Sequence, residues 1–106
     1  MSIYSTPSLP PLPADEITEV LMQTDTCRVE RILSWGQTSP DGFWYDQDED
    51  EWVVLLQGEA ELDFGHERVR LQTGQSYMIP AHARHRVTYT SAQPPCIWLC
   101  VFSKTK

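Results

Sequence analysis

The sequence predicts an all-β fold, an antiparallel sandwich or small barrel of about eight short strands preceded by an extended arm. Three observations carry this. Along the 106 residues the apolar side chains come in short bursts between turn signals, and no helical i, i+3, i+4, i+7 stripe is sustained. Between Glu59 and Phe64 the chain alternates, with Ala60, Leu62 and Phe64 on one face and Glu59, Glu61 and Asp63 on the other. Pro7, Pro10, Pro11 and Pro13 fall within the first thirteen residues, a density that leaves too few backbone donors for a helix or a central strand.

Residues 1–14 are therefore expected to form the arm and residues 15–106 the β domain. After the arm, Ile17–Leu21 and Cys27–Trp35 are the first strands, although Asp15-Glu16 ahead of ITEVLM could instead open one helical turn. Trp52–Leu56 is an apolar strand. Residues 59 to 71 read as a hairpin reversing at Gly65, His66 and Glu67, with Val69 and Leu71 continuing the inward face. Gly74-Gln75 marks the next turn and Tyr77–Ile79 a short strand ended by Pro80. Next, His85, Val87 and Tyr89 are expected to share the inward face, with Arg86, Thr88 and Thr90 opposite. The last strand, Ile97–Phe102, follows the Pro94-Pro95 break.

The length suits one domain, because independent domains cluster at about 100–150 residues. No apolar run approaches the roughly 20 residues that span a bilayer. Eight Lys and Arg against fifteen Asp and Glu give a net charge of −7, which argues against nucleic acid or an anionic membrane surface as partner. The expected ligands are small molecules or metal cations. The start, MSIYSTPSLPPLP, lacks the basic and apolar regions of a secretory signal, so a cytoplasmic setting is expected. Cys27, Cys96 and Cys100 form neither a disulfide framework nor a zinc-finger spacing and read as structural core thiols.

The acidic segment DQDEDE, residues 46 to 51, runs directly into the apolar strand. A solvated acidic loop explains most of it. Glu51 differs, because a strand starting there has Glu51, Val53 and Leu55 on one face and Trp52, Val54 and Leu56 on the other. With both faces apolar the strand should be buried on both sides, leaving Glu51 at the mouth of the interior, where a carboxylate must be paired, hydrogen-bonded or bound to a cation.

Two spaced motifs resemble those of the cupins. The first, G(X)5HXH(X)3-4E(X)6G, is matched at its end by Glu51, six intervening residues and Gly58. The second, G(X)5PXG(X)2H(X)3N, is matched by Gly74, Pro80 and His85, and fifteen residues separate Gly58 from Gly74. The resemblance spans roughly residues 35 to 102 and implies a cupin-like antiparallel β-barrel, or jelly roll. Cupins that bind metal typically use the histidine pair and glutamate of the first motif and the histidine of the second. Here the paired histidine positions fall on Tyr45 and Gln47 in one register, or on Trp44 and Asp46 in the other. The second-motif glycine is His82 and its asparagine is Tyr89. Glu51 and His85 remain of the usual ligand set.

The resemblance thus implies a metal site of Glu51 and His85 completed by Asp46 or Gln47 and water, suited to Mn, Fe or Zn. His82 could join only if its turn folds inward, since three residues from His85 it faces the other side of a regular strand. Trp44, Tyr45 and Tyr89 are candidate pocket residues, with Tyr45 or Tyr89 a possible proton donor. Trp35, Phe43 and Trp52 suit a core or a dimer interface better, and His66 reads as an exposed turn residue. Two functions remain open: metal-assisted chemistry on, or binding of, a small organic molecule, and a metal-free ligand-sensing or interaction module. Unpaired edge strands and the arm give a motive for a homodimer.

Overall fold

The computed structural model describes residues 2–104. Eight strands follow in order: β1 (Ile17–Gln23), β2 (Cys27–Ser34), β3 (Glu49–Gln57), β4 (Glu59–Asp63), β5 (Arg68–Gln72), β6 (Ser76–Ile79), β7 (Arg86–Thr90) and β8 (Cys96–Lys104). They build a five-stranded sheet in the order β1-β2-β8-β3-β6 and a three-stranded sheet in the order β5-β4-β7, every pairing antiparallel. This is the jelly-roll form of the expected fold. Its sheets face each other as a sandwich and are not joined into a closed barrel. The described residues include no helix long and apolar enough to cross a membrane, and Asp15-Glu16 leads directly into β1.

The core lies between the sheets. Val53, Leu55, Ala60, Leu62, Leu71, Ile79, Trp98 and Phe102 pack there, supplied by alternate residues of strands with one inward face. The hairpin of β4 and β5 pairs in the register that alternation requires, with Ala60 opposite Leu71 and Leu62 opposite Val69. β3 starts two residues before Glu51, so Glu49 and Asp50 are strand residues as well. Both carboxylates have partners that make this tolerable. Arg28 bridges across to Glu49 at 3.0 Å, and Asp50 accepts the amide of Ala81 at 2.8 Å.

A second, smaller core lies on the outer face of the large sheet, where Leu33, Trp35 and Ile97 are covered by Leu9, Ala14, Ile17 and Leu56. The arm is therefore packed against the domain. Its backbone carbonyls hold it there, with Pro10 accepting the Trp35 indole at 2.9 Å and Ile3 accepting Arg31 at 2.9 Å. The cover is partial. Val54 is buried, yet Trp52 on the same face is 40% exposed, so β3 is not buried on both sides along its whole length.

Gly58 carries the chain from β3 in the large sheet to β4 in the small one with φ +94°. A Cβ there would stand 2.7 Å from Ser91 Oγ and 2.9 Å from Cys96 Sγ, so both the dihedral and the space demand glycine. His82 adopts φ 65°, a left-handed backbone that glycine takes freely and other residues seldom do.

Candidate functional site

A cavity of about 220 Å³ opens between the sheets at the end where β3 begins. Glu51 and Val53 reach it from β3, Cys100 and Phe102 from β8, and Glu30 and Ile32 from β2, all residues of the large sheet's inner face. From the other side come Leu62 and Val87, with His85 just ahead of β7. Glu16 and Thr18, both exposed, stand at its mouth.

The segment before β3 supplies the remaining wall. Tyr45 and His85 exchange backbone hydrogen bonds of 2.7 and 3.2 Å, and the Gln47 carbonyl accepts the His82 amide at 2.7 Å. This extended pairing directs alternate side chains inward, so Tyr45 and Gln47 line the cavity while Trp44 and Asp46 do not. Of the two registers the sequence allowed for the missing histidine pair, the one with three residues before Glu51 is therefore the one that faces the cavity.

The other candidates lie outside it. Asp46 pairs at the surface with His82, Oδ1 to Nδ1 at 2.8 Å, both side chains more than half exposed. The left-handed backbone at His82 turns its ring away from His85. Trp44 lies beneath the guanidinium groups of Arg84 and Arg86, 5.3 and 5.9 Å from the ring centroid. Tyr89 faces outward as well. Opposite β4 the register slips, Glu61 pairing with Tyr89 and Leu62 with Val87, so Thr88 is an extra residue. That bulge reverses the alternation. Val87 and Thr90 line the cavity, whereas Tyr89 is 40% exposed under Arg70. His66 is exposed at its turn.

Glu51 and His85 are 8% and 5% exposed, and Glu51 Oε1 stands 4.0 Å from His85 Nε2. The other ring nitrogen, Nδ1, lies 2.9 Å from the carbonyl of Ala83, which can only accept. Nδ1 therefore carries the proton of the neutral ring, and Nε2 presents its lone pair to the cavity. Burial lowers the pKa of His85 and keeps it neutral. The same burial pushes Glu51 up to about 7, against smaller opposing contributions from the neighbouring Cys100 thiol and from Arg28. Cys100 is held well above the usual thiol range by burial and then by Glu51, and the Tyr45 phenol is raised by burial and by Glu16 and Glu51. Tyr45 also stacks on the His85 ring at 5.2 Å, fixing its plane. At neutral pH the site thus holds a carboxyl group near its midpoint beside a neutral imidazole, a pair able to hold or exchange a proton with a bound molecule.

Glu16 and Glu30 were not among the candidates from sequence. Glu16 adjoins the arm and Glu30 sits mid-strand in β2, and only the pairing of β1, β2 and β8 carries them to the cavity. Alternation within CRVERILSW, which sets Glu30 on the same face as Ile32, was the available signal.

The family model described as cupin domain matches residues 35–102, most of the chain and most of the cavity wall. The chain belongs to the cupin domain family. Among solved structures, a Ralstonia eutropha protein described as a putative mannose-6-phosphate isomerase is 34% identical, with a TM-score of 0.89 over 99% of this chain and 97% of that chain. A cupin superfamily protein from Desulfitobacterium hafniense shares the fold at 20% identity, with a TM-score of 0.73 over 93% of this chain and 94% of that chain. The cupin domain of an XRE family transcriptional regulator from Enterobacter cloacae does so at 17% identity, with a TM-score of 0.70 over 86% of this chain and 98% of that chain. A search of the curated proteins finds no match.

Cupin domains commonly hold a divalent metal, and the residues of this cupin can be tested against one. Where the paired histidines would stand are a phenol and an amide, which leaves one imidazole and one carboxylate of the usual ligands facing the cavity. No cluster of three or more His, Cys, Asp or Glu suited to a metal occurs among the described residues. This donor set does not fit a resident transition metal, which needs three or four deprotonated ligands.

Proposed function

We propose that this cupin binds a small organic molecule in the cavity around Glu51 and His85, without a resident metal. The observation that carries the reading is the pair itself: two polar residues, each over nine-tenths buried, 4.0 Å apart, facing a cavity in otherwise largely apolar surroundings. Burying them costs stability that a bound hydrogen-bonding ligand offsets. Glu51, His85, Tyr45 and Gln47 are the contact residues proposed. At about 220 Å³ the cavity suits a molecule smaller than a typical drug-sized ligand.

The phosphorylated sugar in the name of the Ralstonia protein is not carried over. Three carboxylates, Glu16, Glu30 and Glu51, line the cavity and no Lys or Arg does, so a phosphate would meet like charge. Sensing of a small ligand is the use we favour over catalysis, because Glu51 and His85 supply a proton path while the cavity presents no nucleophile in activated form, Cys100 being held as the thiol. A cytoplasmic setting accords with the free thiols of Cys27, Cys96 and Cys100.

The competing arrangement is a divalent cation, Mn, Fe or Zn, between Glu51 and His85. It is favoured by the Ala83 carbonyl, which fixes the imidazole with Nε2 toward the carboxylate. A fragment screen by amide NMR on tag-free protein in the presence of EDTA tests the reading. Fragments should shift the amides of Tyr45, Gln47 and His85, and Glu51→Gln should weaken them. A screen in which no fragment reaches these amides would sink it.

A further inference from the structure

Resting on the reading of the cavity as a small-ligand pocket, we infer that the ligand is an organic cation: an ammonium group on a compact aromatic or apolar body. The acidic side chains of the wall are three carboxylates, and it has no Lys or Arg. Glu51 reaches the cavity from β3, Glu30 from β2 and the exposed Glu16 from the segment just ahead of β1. The neighbouring guanidinium of Arg28 is already engaged, with Glu30 at 2.6 Å and Glu49 at 3.0 Å. It neutralises part of this charge and leaves Glu51 and Glu16 without a cationic partner among the described residues.

The second observation is independent of the carboxylates. His85 is 5% exposed and its Nδ1 is turned to the Ala83 carbonyl, so the lone pair of Nε2 faces the cavity without a hydrogen-bond donor among the described residues. An ionised carboxylate or phosphate ester brings no N–H or O–H donor, so it leaves Nε2 without a partner and opposes the charge of ionised Glu51. An ammonium group carries three N–H donors and can serve both, since Nε2 and the Glu51 oxygen stand 4.0 Å apart, a separation one nitrogen can bridge with two hydrogen bonds. Thr90 offers no competing donor, for its hydroxyl is given to the Gln37 carbonyl at 2.7 Å. For the body of the ligand, Tyr45, Trp98 and Phe102 present aromatic surface and Ile32, Val53 and Leu62 aliphatic surface. Aromatic faces also favour a cation.

Three compounds of one shape and different charge provide the test: benzylamine, benzyl alcohol and benzoate, titrated into the full chain at pH 7.5 and followed by amide NMR. Benzylamine should bind at least tenfold more tightly than either of the others. That preference should vanish in Glu51→Gln, shrink in Glu16→Gln and persist in Asp46→Asn, whose carboxylate lies outside the cavity. Glu16 is exposed, so its variant tests the charge argument without disturbing the core. Equal or tighter binding of the alcohol or benzoate would overturn the inference while leaving ligand binding intact. If none of the three reaches the cavity amides, the inference falls, and the broader fragment screen decides the reading beneath it.

Discussion

Glu51 is where sequence, packing and chemistry meet most closely. Its carboxylate is pushed up to about 7 because the strand that carries it runs into the interior. The folded chain therefore binds its proton more tightly than the unfolded chain, in which a glutamate titrates near pH 4.3. The Glu51 contribution to stability is then fully present below about pH 4.3 and is lost as pH rises through about 7, a loss on the order of 3 kcal/mol. Glu51→Gln has no such proton to lose. Urea midpoints measured between pH 5 and pH 8 should show the variant gaining on the wild type as pH rises, and a constant difference would show that Glu51 is not held protonated. His85 has the opposite sign. Its pKa is lowered by burial, so it costs stability as pH falls through the ordinary imidazole range. That Glu51 enters the interior was legible from its place ahead of Val53 and Leu55. The placement of Tyr45 and Gln47 was not, because it depends on a backbone bridge to His85 forty residues away in the chain.

Among the strands, those with one clean apolar face could be read directly, and β4 and β5 are the clearest. Alternation misleads wherever a bulge intervenes. Thr88 in β7 is such a residue, and it exchanges Tyr89 for Thr90 at the cavity. Coverage by distant chain is likewise invisible in a strand's own sequence. The outer face of the large sheet is closed by the arm over Leu33 and Ile97 and left open farther along. There a row crosses all five strands by register, Met22 beside Val29, then Val101, Trp52 and Met78. Met22, Trp52 and Met78 are 50%, 40% and 52% exposed. We propose that a second copy of the chain covers it. On a chain of net charge −7 this row is free of charge, so two copies can meet here without opposing carboxylates. Sedimentation at micromolar concentration should give twice the chain mass, and Trp52→Glu with Met78→Glu should give a monomer of unchanged fold. A wild-type monomer would remove the proposal.

At the scale of the whole molecule, the sandwich sets the inner faces of β2, β3 and β8 opposite β4 and β7 and leaves a gap at one end. The motif spacings disclosed that architecture because Gly58 and Gly74 are turn positions with φ +94° and +89°, fixed by backbone geometry whatever the ligand. They disclosed the chemistry less well, since the same fold accepts a phenol and an amide where others hold imidazoles. We propose that the gap takes its ligand without a resident metal. Calorimetric titration of benzylamine and of benzyl alcohol tests it most directly, using chelator-treated protein and the same protein supplied with Mn, Fe or Zn. At least one compound should bind the chelator-treated protein, with an affinity that the metals leave unchanged. Binding that is absent after chelation and restored by any one of the three metals would contradict it.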